Sequence, residues 1–186
     1  MQLMNFISYE QFGVNFVRHA VTAERLKAEV ADLAGDSFHI GPMSVGPGGV
    51  AVAKADGTIG SPEVERLPGL DIRFEAKLPI VLNLEVRVAG VPQRYRGDIE
   101  VSLWLTVRTV EPLVILIEVA PVEAGHVTVD LESAGVSAGV LQRVGNIDEE
   151  VRTQVVRVVN DRVNADKARA SREIDVATMI DESWTD

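Results

Sequence analysis

The chain has 186 residues and no cysteine, and its 18 Lys and Arg against 28 Asp and Glu give a formal net charge of -10 at pH 7. This acidity repels nucleic acids and anionic lipid surfaces, and the absence of cysteine excludes disulfide bonds and thiolate chemistry. No segment is long and apolar enough to predict a transmembrane helix, so we expect one cytoplasmic domain over residues 1–186, with residues 166–186 as a C-terminal extension.

The first predicted element is a long amphipathic helix over residues 9–34. Ser8 and Gln11 form an S-x-x-Q capping box, and apolar residues then recur at steps of three or four. Gly35 stands where a left-handed C-cap residue would end the helix. The apolar stripe comprises Phe12, Phe16, Ala20, Ala23, Leu26, Val30 and Leu33.

The next segment, residues 38–68, is rich in Gly and Pro and predicts a short hairpin. Three valines precede the dipeptide Asp56-Gly57, which is typical of a two-residue hairpin turn. We therefore expect the chain to reverse direction at Asp56-Gly57.

Between Leu70 and Leu131 apolar residues occupy every second position, which predicts a curved antiparallel sheet with one apolar face. A strand over residues 94–109 would span about 50 Å, so it must twist and coil strongly to fit a small domain. Turn residues at Gly90-Val91-Pro92 separate two of the rows. The five apolar rows lie within residues 70–78, 80–88, 99–107, 113–119 and 127–131.

A second amphipathic helix is predicted after Asn146, which forms an N-cap box with Glu149. Its apolar face is almost entirely β-branched, so packing rather than helix propensity must stabilise it. Residues 166–173 are charged and predict a solvated segment, while residues 174–180 fit either an edge strand or a helix. The apolar face of the second helix comprises Ile147, Val151, Val155, Val158, Val159 and Val163.

Catalytic and metal-binding motifs are weak. Residues 135–139 match the G-x-S-x-G nucleophile elbow, but no histidine follows Ser137 to accept its proton. The three histidines, His19, His39 and His126, are too scattered to suggest a metal site. We therefore predict a protein that is not an enzyme, with no catalytic residue, cofactor or metal.

The order of elements resembles the tubular lipid-binding (TULIP) superfamily, which includes the bactericidal permeability-increasing and SMP-type domains. The local match covers residues 140–147 and 159–164, preceded by Pro112-Leu113 at the opening of a strand. A helix-grip domain is the competing fold, but it opens with a strand rather than a long helix. The resemblance implies a bent sheet around a long helix, an apolar seam that takes acyl chains, and no catalytic residue.

The first hypothesis is therefore an α+β domain in which a long N-terminal helix packs in a strongly curved antiparallel sheet, closed by a C-terminal amphipathic helix. Aliphatic rather than aromatic side chains fill the predicted sheet, which favours a cleft between sheet and helix. We expect this groove to bind a lipid or another apolar small molecule. The predicted ligand-binding residues are Phe12, Phe16, Leu82, Leu84, Leu103, Leu105, Ile115 and Ile117.

The second hypothesis is a structural or assembly subunit that associates with a copy of itself or with a partner protein. Its contacts would come from Trp104, from the outer face of the row at residues 113–119, and from residues 174–180. Exposed apolar patches and unpaired strand edges favour such association.

Overall fold

The structure, a computed structural model that describes residues 5–133 and 147–184, confirms the α+β class. Its described strands form one antiparallel sheet that curls into a half-barrel, with helices at both ends of the chain. The helices are α1 Tyr9–Ala20, α2 Ala23–Val30, α3 Ile147–Val163, α4 Asp166–Ala170 and α5 Val176–Ser183. The strands are β1 Ser37–Val45, β2 Ala51–Ile59, β3 Glu63–Arg66, β4 Arg73–Val88, β5 Val91–Val110, β6 Val114–Val119, β7 Val127–Ser133 and β8 Glu173–Asp175.

Two long strands, β4 and β5, form the centre of the sheet. They are joined by a two-residue turn at Ala89-Gly90, where both residues have positive φ, as a type I′ turn requires. Each long strand changes its outer neighbour halfway along: β4 pairs first with β3 and then with β2, and β5 pairs first with β7 and then with β6. Pro79 lies where β4 changes neighbour, so its missing N–H interrupts neither ladder.

This change of neighbours divides the apolar interior into two cores. The large core lies between β1, β2, β7, the adjoining halves of β4 and β5, and helix α3. The small core lies at the other end of the long strands, against α1, α2 and the start of α5. The buried residues of the small core are Val17, Val21, Leu26, Phe74, Ala76, Leu105, Ile115, Ile117 and Val176.

Helix α3 fills the concave side of the sheet at the large core. Arg162 donates to the Asp36 carboxylate at 2.8 Å beside β1, and Arg152 donates to the Val127 carbonyl at 3.2 Å in β7. The helix thus connects the two outer strands of this half of the sheet. Its fully or nearly buried residues are Ile147, Val151, Val155 and Val159, four members of the predicted apolar face.

The single helix predicted over residues 9–34 is wrong in its continuity. Val21 has extended backbone angles, φ -117° and ψ 108°, and its side chain is buried in the small core. Thr22 then caps the second helix, because its Oγ1 accepts a hydrogen bond from the Arg25 backbone N–H at 3.3 Å. Helical hydrogen bonds are lost at this break. The burial of Val21 and the cap hydrogen bond to Thr22 compensate for that loss.

The hairpin over residues 38–68 exists, but the turn predicted at Asp56-Gly57 is wrong. The chain reverses at residues 46–50, and Gly57 lies inside β2, directly opposite Phe38 in β1. A Cβ atom at Gly57 would overlap the Phe38 ring. Glycine occurs here because an aromatic ring covers the strand, a use that a sequence pattern does not distinguish from a turn.

Replacing Gly57 with alanine is therefore expected to lower the free energy of unfolding by about 1–3 kcal/mol, the usual effect of overpacking a core. Urea denaturation of the single variants and of the pair Gly57→Ala with Phe38→Leu measures the coupling. Leucine at position 38 leaves part of the space that the ring fills. Gly57→Ala should therefore lower the free energy of unfolding much less in the Phe38→Leu background than in the wild type. Additive effects in the double variant would contradict this packing.

Candidate apolar groove

An apolar groove of about 500 Å³ lies beside the small core. It is formed by the junction of α1 and α2 on one side and by β6, β8 and α5 on the other. Its volume falls within the roughly 300–1,000 Å³ that small-molecule sites occupy. Most of the lining is apolar, with contributions from each of these elements: Phe16, Leu26, Ile117, Ile174, Val176 and Met179.

The far wall of the groove is formed by residues 174–180, for which the sequence allowed either an edge strand or a helix. Both are present in turn. Ile174 pairs with Ile115 in the β8–β6 ladder, and the chain turns into α5 directly afterwards. Asp175 caps this helix, accepting a hydrogen bond from the Thr178 backbone N–H at 3.0 Å and another from the Thr178 hydroxyl at 2.9 Å. These bonds to Thr178 lower the pKa of the Asp175 carboxyl, because they stabilise its ionised form.

The near wall is shaped by the break between α1 and α2. Arg25, which lines the groove, donates from Nη1 to the carbonyls of His19 and Ala20 at 3.1 and 2.9 Å. These two carbonyls belong to the last turn of α1, where helical carbonyls lack partners within the helix. The guanidinium is thereby held at the groove, where Glu29 is a second charged lining residue.

Exposed aromatic side chains continue the apolar lining onto the surface of α1. Phe12 and Phe16 stack with ring centroids 6.4 Å apart and are 60% and 41% exposed. Tyr9, one turn before Phe12, is also exposed, as is Phe6 just before the helix. We call Phe6, Tyr9, Phe12 and Phe16 the aromatic face of α1.

The eight predicted ligand-binding residues are distributed over three environments. Phe16 and Ile117 line the groove, and Phe12 stacks on Phe16 outside it. The other five lie in the cores. On the two long strands, which run through both cores, Leu82 and Leu84 are buried in the large core, Leu105 in the small core, and Leu103 packs against both. Ile115 of β6 is buried in the small core.

Sequence reasoning missed the contribution of α5 to the groove. Val176, Met179 and Ile180 line it, with Ser183 one turn further along. The usable signal was the apolar spacing of residues 174–180, which fits a strand and a helix equally well. Reading Asp175 and Thr178 as an N-cap would have placed the start of the helix.

A second depression of about 490 Å³ lies beside β6 and α4 and is more polar. It is lined by Arg172 together with Glu118 and Glu173. Arg172 donates to the carbonyls of Ala168 and Val163 at 2.9 and 3.1 Å, and burial lowers the pKa of its guanidinium. Its hydrogen bonds connect the end of α3 to α4, so the residue has a structural role here.

Other functional signals give no site within the part of the chain that the structure describes. Over residues 5–133 and 147–184, no three His, Asp or Glu side chains lie close enough together to hold a metal ion. None of the helices described there is both long and apolar enough to cross a membrane. Ser137, the serine of the G-x-S-x-G match, and the predicted cap Asn146 lie outside the described residues.

No protein-family model and no curated protein sequence matches this chain. Among solved structures it is similar to a crystal structure of lipopolysaccharide binding protein, with a TM-score of 0.34 and 12% sequence identity. The alignment covers 84% of this chain but 38% of that protein, so the chain spans well under half of its length.

Proposed function

We propose that this protein is not an enzyme and that it binds one acyl chain, or an apolar molecule of similar size, in the groove between α1, α2 and α5. The observation that carries the proposal is an apolar groove of about 500 Å³ that opens beside exposed aromatic residues. Large apolar side chains such as Phe12 and Met179, each 60% exposed, are unfavourable in water unless something covers them.

The energetics favour a ligand with an alkyl chain. Each methylene moved from water into the groove contributes about 0.8 kcal/mol, which is close to a fourfold gain in affinity. About ten methylenes would contribute roughly 8 kcal/mol before the entropy lost on association is subtracted. Binding should therefore strengthen with chain length until the groove is full, with little discrimination between chain types.

Filling the groove with a side chain should abolish this binding. Ala20 lines the groove, so Ala20→Trp is expected to weaken binding of dodecanol at least about tenfold, because the indole occupies the space of several methylenes. Ala28→Trp is the matched control, since Ala28 is exposed on α2 and is not among the lining residues. Calorimetric titration measures both variants; equal affinity in wild type and Ala20→Trp would place the ligand elsewhere.

Native mass spectrometry tests the proposal without any substitution. Gently purified protein, offered dodecanol or a longer fatty acid, should show a mass increase of one ligand. A clean mass of the bare chain under all these conditions would contradict the proposed function.

Self-association is the second candidate function, and the aromatic face of α1 is the observation that favours it. Two such faces packed together would bury four aromatic side chains from each copy, which are typical interface residues. Of the contacts first expected, Trp104 is 41% exposed, whereas Ile174 already lines the groove. Light scattering over a wide concentration range decides: a concentration-independent monomer would rule out this candidate and leave ligand binding in place.

A further inference from the structure

The cation at the groove, Arg25, has no ion-pair partner among the side chains that the structure describes. Arg25 uses Nη1 for the carbonyls of His19 and Ala20. Among the carboxylate side chains that the structure describes, none lies within ion-pair distance of its guanidinium.

The geometry of Arg25 leaves one edge of its guanidinium, formed by Nε and Nη2, able to bind an anion. Guanidinium groups present five N–H donors in a planar fork, and an Nε–Nη2 pair matches the two oxygens of a carboxylate. In Arg25 the two carbonyl bonds fix the plane through Nη1, while Nε and Nη2 donate to no described residue. Fixing the plane in advance reduces the entropy lost when an anion binds.

We propose that the ligand of the groove is an alkyl carboxylate whose head group binds the free edge of Arg25 while its chain lies along the apolar walls. This inference rests on the proposed function and adds the chemical class of the ligand. The apolar lining and the guanidinium belong to the same groove, so one amphiphilic molecule can contact both. A neutral alcohol or a hydrocarbon would contact the apolar walls but would not form an ion pair with the guanidinium.

Glu29 gives the inference an internal control. It is four residues after Arg25 in the same helix and also lines the groove. A carboxylate at this position repels an incoming carboxylate but not an uncharged head group. Removing its charge should therefore strengthen binding of the acid relative to binding of the alcohol.

The experiment compares dodecanoate with dodecanol on the full chain, by calorimetric titration at a pH where the acid is fully ionised. Wild type should bind dodecanoate about tenfold more tightly, the expected effect of a partly exposed charge-assisted hydrogen bond. R25Q should lose this preference, because the substitution removes the guanidinium but not the apolar walls. K27Q, an equal change of charge at exposed Lys27 in α2, should keep the preference. E29Q should increase the preference for dodecanoate over dodecanol.

Each outcome separates the inference from the function on which it rests. Equal binding of acid and alcohol by wild type, or a preference that persists in R25Q, would overturn the carboxylate inference and leave acyl-chain binding intact. Failure of wild type to bind either compound would overturn both. If R25Q does not fold because α1 loses its carbonyl partners, R25K retains the charge without the fork, and its preference should fall between wild type and none. A full wild-type preference in R25K would contradict bidentate recognition.

Discussion

Replacing Val155 by aspartate is expected to unfold the protein at neutral pH. Val155 is fully buried at the centre of α3, among the side chains of the large core. An ionised carboxylate there would lose its hydration without gaining a partner, and such substitutions lower the free energy of unfolding by about 4–5 kcal/mol or more. That loss is comparable to the total stability of many domains, roughly 5–15 kcal/mol.

The matched control is Thr153→Asp, two residues earlier on the exposed side of the same helix. This substitution adds the same charge but leaves it exposed to water. The free energy of unfolding of the variant should therefore stay within about 0.5 kcal/mol of wild type, as for most surface substitutions. Circular dichroism during urea denaturation measures both variants. A Val155→Asp protein as stable as Thr153→Asp would show that α3 does not seal the concave side of the sheet.

The second large effect is expected for Phe74→Ala in the small core. The Phe74 side chain is completely buried on β4, opposite Leu105 of β5. Loss of its transfer free energy and the cavity left behind should lower the free energy of unfolding by about 3–5 kcal/mol. Because the groove rests on the small core, binding of dodecanol should also weaken in this variant.

Amide hydrogen exchange shows which half of the molecule responds. In Phe74→Ala, protection should fall most in β6 and β8, whose residues pack in or beside the small core. Leu82→Ala changes the same strand, β4, but disrupts the large core. Its loss of protection should therefore be greatest in β1 and β2. Equal loss of protection throughout the sheet in both variants would mean that the two cores unfold as one cooperative unit.

The two cores suggest a division of roles. The large core is closed by α3, whose buried valines fill the concave surface. The small core is covered by shorter helices, α1, α2 and α5, which leave the groove between them. If the proposed function is correct, the closed half provides stability and the open half binds the ligand.

The sequence by itself determined the fold class and the alternation of buried and exposed residues through the centre of the sheet, but not that the rows at residues 70–78 and 80–88 form the single strand β4. Strict alternation over residues 70–131 specifies which side chains face the interior, since a shift of one residue would expose every apolar row. The helical period of residues 147–163 was equally clear. These signals are local, so they survive without knowledge of the partner surfaces.

Only the tertiary structure decided how those elements meet. Val21 leaves the helical path because its side chain is buried in the small core, and Gly57 lies in a strand because Phe38 covers it. The groove depends on α5, which comes together with α1 and α2 across more than 140 residues of sequence, on the order of a whole domain. Periodicity states which face of an element is apolar, but contact between distant segments decides which face packs against which.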